Sequence, residues 1–136
     1  MTDENRLDAL FLCRNARSFF EVACMTRLIQ ADQRLYFVAI SIELSLKAYL
    51  RYTGMTDEDT KWQVRHDLFD ASHLATSLGL DLTQSDHAIV VRTIGHRYQS
   101  GGFRRPPSVE WPQPFVAVAA SHAFLLNQRV SRCLAG

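Results

Sequence analysis

The sequence predicts an all-α domain, an antiparallel bundle of four or five helices, and three observations carry that expectation. The chain has no Gly before Gly54 and no Pro before Pro106, so its opening lacks the two residues that disfavour helix interiors most. Apolar residues recur near the 3.6-residue period, and no segment alternates with the period of two that marks a strand. At 136 residues, with 47% hydrophobic and 21% charged side chains, the chain suits a single domain over residues 1–136 with one core. The same balance excludes a disordered or low-complexity chain.

The elements follow in order. The first helix is expected from about Glu4 to Leu28, with Leu7, Leu10, Phe11, Phe20 and Ala23 as its inward stripe. Gln30-Ala31-Asp32 reads as a break, with Asp32 capping a second helix over 33–53. That helix is apolar nearly all round at Leu35–Ile40 and then settles into Ile42, Leu46, Tyr49 and Leu50, the pattern of a helix at the middle of a bundle. Gly54 ends it. Thr56–Lys61 is polar and reads as a loop. A third helix is expected from Asp67 to Leu78, with Leu68, Ala71, Leu74, Ala75 and Leu78 inward and Gly79 as its stop. Thr83 then caps a fourth, with Asp86 at the third helical position in a weakened capping box. Ala88, Val91, Ile94 and Tyr98 form its apolar face, and Gly101-Gly102 close it. Phe103–Pro114 carries all four prolines and reads as an irregular loop. A last helix over about Phe115–Leu134 packs Val118, Phe124, Leu125 and Leu126.

Several function classes look remote. The acidic start Thr2-Asp3-Glu4-Asn5 is unlike a secretory signal, and the longest apolar run, Leu35–Ile40, falls far short of the roughly 20 residues a membrane span needs. Cys13, Cys24 and Cys133 have neither CxxC nor zinc spacing, and read as free core thiols of a cytoplasmic protein. His66 and His73 stand two helical turns apart, about 10 Å, too far for one ion. No metal and no cofactor is expected. A nucleophile–histidine site assembled across the fold leaves no local signature to read.

Charge is the informative average. The net of +1 hides nine Lys/Arg against thirteen Asp/Glu in residues 1–86, and six Arg against Glu110 alone in 87–136. Arg92 and His96 are four apart and share a helix face. Arg97, Tyr98, Phe103, Arg104 and Arg105 follow without a nearby acid. A histidine can exchange protons near neutrality, an arginine can hold a phosphate bidentately, and aromatic rings can stack on bases. Metal-independent RNA cleavage would use His96 as acid or base and Arg92 to steady the phosphorane. The plainer alternative is a solvated helix face with an arginine-rich turn. Glu43 and Lys47, one turn apart on a helix that is otherwise core, read either as an ordinary ion pair or as groups lining a groove.

Ser41-Ile-Glu-Leu-Ser-Leu-Lys-Ala-Tyr-Leu-Arg51, Gly54, His66-Asp-Leu68, Leu78-Gly-Leu80, His96-Arg-Tyr98 and Phe103-Arg-Arg-Pro106 together resemble the HEPN superfamily of helical domains. The resemblance covers about residues 35–110. It implies an antiparallel four- or five-helix bundle, usually a homodimer. It also implies either RNA or nucleotide binding, or metal-independent ribonuclease activity of toxin–antitoxin or phage-defence type, often beside a nucleotidyltransferase partner. The family's ribonuclease motif has four to six residues between its arginine and histidine, whereas Arg92 and His96 have three.

The expected function is therefore a HEPN-like nucleotide- or RNA-binding protein, regulatory or defence-related and without efficient catalysis. Arg97, Tyr98, Arg104, Arg105, Glu43 and Lys47 are its expected binding residues. Alternatives are a ribonuclease toxin built on His96 and Arg92, and a protein–protein interaction module presenting Trp111 and the proline-rich turn.

Overall fold

The computed structural model describes residues 2–25, 30–64, 66–83 and 86–136, over 62–64 the backbone alone. Its helices are α1 (Asp3–Ala23), α2 (Ala31–Tyr52), α3 (Asp57–Val64), α4 (Leu68–Ser77), α5 (His87–Gln99) and α6 (Gln113–Ala135), with a 3-10 turn at Gly102–Arg104. No strand occurs among the described residues. The protein is an all-α bundle.

α2 is its axis and touches every other element. Leu35, Val38, Ala39, Ile42, Leu46 and Leu50 are fully buried along it, as its all-round apolar composition requires. Truncating one of them, Leu46→Ala for example, costs about 2–5 kcal/mol through lost contacts and the cavity left behind. α1 runs antiparallel to α2: Asp8 meets Arg51, Ala16 meets Ser41 and Phe19 meets Phe37. α6 runs with α2, since Trp111 just ahead of it meets Asp32 while Asn127 meets Ser45. Buried polar groups fix this register. Ser41 donates to the Ala16 carbonyl at 2.7 Å, and the Asn127 amide donates to the Cys13 carbonyl at 2.9 Å.

The face of α1 differs from the expected one. Leu7 and Phe11 are 67% and 63% exposed and Leu10 is also exposed, so that half of the stripe is replaced by buried Ala9, Cys13 and Ala16. Ala23 is buried and Phe20 packs against the core, as expected. Small residues let α1 approach α2 closely enough for Ser41 to reach its backbone, which a leucine stripe would prevent. The expected end of this helix at Leu28 lies outside the described residues. Val118 and Leu125 of α6, and Leu78 after α4, are likewise exposed. Cys13 is buried, but Cys24 is exposed and Cys133 half-buried.

Thr56–Lys61 is mostly helix, not loop. The Thr56 hydroxyl accepts from the Asp59 amide at 3.1 Å while the Asp59 carboxylate accepts from the Thr56 amide at 3.4 Å, a reciprocal cap. Asp57, Glu58 and Asp59 in the first turn and Lys61 in the last complement the helix dipole. Polarity there supports an exposed helix. Asp67 caps α4, accepting from the Phe69 and Asp70 amides. Asp32 is not a cap: Gln30 holds that position without a side-chain bond, and Asp32 lies in the first turn, 2% exposed. Thr83 binds Asp81 rather than capping α5, whose start is at His87. Gly54, Gly79 and Gly101 take positive φ at the chain's turns, the conformation that favours glycine.

Candidate functional site

Glu43 and Lys47 project from the same side of α2, one turn apart. The Glu43 carboxylate is 4% exposed, so it needs partners, and the fold delivers three. Lys47 Nζ stands 3.7 Å from Oε1, the Tyr98 hydroxyl donates to Oε2 at 3.0 Å, and His66 Nδ1 lies 2.6 Å from Oε1. Tyr98 comes from the last turn of α5. His66 comes from the turn before α4, where its φ of 63° is left-handed. That conformation is uncommon outside glycine and is held only where the surroundings enforce it. Here it sets the imidazole on the carboxylate.

The hydrogen-bond inventory fixes the ring's role. A carboxylate only accepts, so Nδ1 carries a hydrogen toward Glu43. The His66 side chain is 67% exposed, so Nε2 is open to a ligand. Burial, and after it the Glu43 carboxylate, hold the Tyr98 hydroxyl above its ordinary pKa; the Arg104 guanidinium pulls weakly the other way. Tyr98 is therefore a fixed proton donor to Glu43 at neutral pH.

Lys47 and His66 line a cleft of about 320 Å³ with Asp57, Thr60 and Lys61. Asp57 is already paired with Arg51, which also holds Asp8 at 3.0 Å and so ties α1, α2 and α3 together. The cleft thus presents two ammonium groups and an oriented imidazole, an arrangement that can hold an oxyanion and pass a proton to or from it.

The remaining expected residues lie elsewhere. Arg92 and His96 are exposed one turn apart on α5, as their spacing implies, and among the described residues neither side chain makes a hydrogen bond or ion pair. Arg97 is five positions from Arg92, about 140° round the helix, and turns inward. It grips Asp32 with two bonds, of 3.1 and 2.8 Å, and stacks over Phe103 at 5.1 Å. Trp111 donates to the same carboxylate at 2.8 Å, and its ring packs between Phe103 and Phe115. Arg97 and Trp111 thus hold the proline-rich turn against α2. Arg104 and Arg105 are exposed on that turn, Arg105 donating to the Ser100 carbonyl at 2.9 Å.

One polar chain escapes sequence reading altogether. Ser72 Oγ is 2.7 Å from His87 Nε2, and His87 Nδ1 is 2.7 Å from His122 Nε2. Burial depresses both imidazoles, each to about pKa 4; His122 adds to the effect on His87, and Arg129 to that on His122. Both are neutral at pH 7. Their separations of 15 and 35 residues leave no periodic trace.

Among the described residues no group of three His, Cys, Asp or Glu side chains could hold a metal ion, and no helix is long and apolar enough to cross a membrane. Comparison with protein-family models, curated proteins and solved structures gave no match.

Proposed function

We propose that the protein is a HEPN-like nucleotide- or RNA-binding helical protein, regulatory or defence-related, which holds phosphate groups without efficient catalysis. The observation that carries this reading is the convergence of Glu43, Lys47, His66 and Tyr98. These four come from three of the segments on which the family resemblance rests, and two of them, Lys47 and His66, line a cleft with Asp57, Thr60 and Lys61. Lys47 and Lys61 supply charge for a phosphate, and His66 supplies a directed hydrogen-bonding nitrogen. The exposed Arg104 and Arg105 follow Tyr98 in the chain and are two further cations a phosphate-bearing ligand could meet. A homodimer, and a nucleotidyltransferase-type partner, belong to this reading as proposals.

Anisotropy of a labelled 12-mer RNA tests it. With three phosphates contacted, affinity falls about 20-fold between 50 and 200 mM salt, and a Lys47→Gln/Lys61→Gln protein binds several-fold more weakly. No binding at the lower salt, or a salt-independent response, removes the proposal. Light scattering at tens of micromolar reads the dimer.

A second reading, a metal-independent ribonuclease, is favoured by one observation: Glu43 orients His66 as a carboxylate orients a catalytic imidazole. His96 has no such partner among the described residues. Incubation of total RNA with the native protein and with His66→Ala and His96→Ala variants separates the cases. Cleavage lost only with His66 supports this reading, and intact RNA throughout excludes it.

A further inference from the structure

α4 and α5 approach closely where the Phe69 ring faces Gly95; a Cβ there would stand 3.4 Å from that ring. Residues of α4, the following turn and the first half of α5 line a cleft of about 350 Å³, within the size range of small-molecule sites. Phe69, Leu82 and Val91 give it apolar walls, and Phe69 is still 46% exposed. Its polar groups are few. They are Ser72, Thr76, Thr83 and His87 with exposed Arg92 and His73, and no acidic side chain lines it among the described residues.

The protons of the buried chain can be placed. His122 Nδ1 is buried without a hydrogen-bond partner among the described residues, and a bare lone pair there costs less than an orphaned N–H. His122 Nε2–H therefore donates to His87 Nδ1, His87 Nε2–H donates to Ser72 Oγ, and the Ser72 hydroxyl donates to the Leu68 carbonyl at 2.5 Å. With both imidazoles neutral, the Arg92 guanidinium is the one permanent charge among the described residues that line the cleft, and it has no ion-pair partner among them.

We propose that the α4–α5 cleft binds a small amphiphilic monoanion, a carboxylic acid with an aryl or short alkyl body, its apolar part between Phe69 and Val91 and its carboxylate on Arg92. A planar carboxylate matches a single guanidinium bidentately. A phosphate dianion would need a second fixed cation, which this cleft lacks and the Lys47–Lys61 cleft has. The two sites share no lining residue, so this proposal stands apart from the phosphate reading.

Amide shifts on titration with 4-phenylbutanoate, against its uncharged analogue 4-phenylbutan-1-ol, test the inference. The acid is expected to move resonances of α4 and α5, with the alcohol about tenfold weaker, a difference one charge-assisted pair supplies. Arg92→Gln, a surface change that leaves the fold intact, should reduce the acid to the alcohol's affinity. Ala88→Trp, at an exposed position lining the cleft, should block both ligands. Equal affinity for acid and alcohol, no shift in α4 or α5 at about 5 mM acid, or unchanged acid binding by the Arg92 variant would each overturn it.

Discussion

His66 Nδ1 and Glu43 Oε1 are 2.6 Å apart, although the imidazole is two-thirds exposed and the carboxylate almost wholly buried. The contact joins the turn before α4 to the middle of α2, and the Tyr98 hydroxyl on the second carboxylate oxygen adds α5. Glu43→Ala is expected to cost about 2–3 kcal/mol, because it leaves a buried hydroxyl and an ammonium group without their acceptor. Glu43→Gln keeps an oxygen acceptor and costs less. Urea denaturation measures both. In the native protein the His66 ring should show the Nδ1–H tautomer by nitrogen NMR, and a predominant Nε2–H form would contradict the assignment.

Asp32 supplies a pH prediction. Burial alone would raise its carboxyl pKa, but hydrogen bonds from Arg97 and Trp111, and the guanidinium charge, outweigh this and hold it below 3.8. A carboxyl lowered in the folded state contributes stability above its unfolded pKa and loses it as pH falls through the folded value. Unfolding free energy should therefore decline below about pH 4, and Asp32→Asn should flatten that limb. Asp32→Ala, which strands a buried arginine, is expected to cost about 3–5 kcal/mol.

The two buried imidazoles act in a higher window. Each titrates near 6.5 when unfolded and near 4 when folded, so the unfolded chain binds more protons between those values. Stability is full above pH 6.5 and falls as pH drops toward 4. At about 1.4 kcal/mol per unit, each imidazole is worth roughly 3 kcal/mol and the pair on the order of 6 kcal/mol over that range. A His87→Gln/His122→Gln protein should be less stable at pH 7 but flatter from 6.5 to 4. A slope equal to the native one would show that other groups carry it.

Two glycines should differ in a measurable way. Gly54 and Gly79 both have φ near +110°, at 106° and 109°, but a Cβ at Gly54 meets nothing within 4 Å, whereas at Gly79 it meets the Tyr49 hydroxyl at 3.2 Å. That hydroxyl donates to the Leu78 carbonyl at 2.9 Å. Gly54→Ala carries backbone strain alone, about 1–2 kcal/mol. Gly79→Ala should cost more in thermal unfolding, and the reverse order would contradict the structure.

Periodicity and composition made α2 legible, since a helix greasy on every side can only lie at the centre, and Gly54 and Gly79 marked their turns through a conformation other residues avoid. The burying face of α1 was not legible. Leu7, Leu10 and Phe11 follow the helical period as well as Ala9, Cys13 and Ala16 do, and only the closeness of α2 decides between the two stripes. Polar composition hid α3, because an exposed helix and a loop share it. At the candidate site, Glu43 and Lys47 are neighbours by helix geometry and could be paired from the sequence. Their meeting with His66 and Tyr98, 23 and 55 residues from Glu43, is a property of the fold. Arg97 looked like a ligand-binding arginine because the acid that neutralises it stands 65 residues earlier.

That distance also bears on how the chain is made. The α1–α2 hairpin leaves the ribosome before α5 and α6, carrying a carboxylate whose partners at Arg97 and Trp111 are 65 and 79 residues behind it. Until they emerge, closing the start of α2 against the nascent core would strand Asp32 as a naked charge. The first third of the protein is in this sense translated unfinished, and it can complete its packing only after the proline-rich turn has been synthesised.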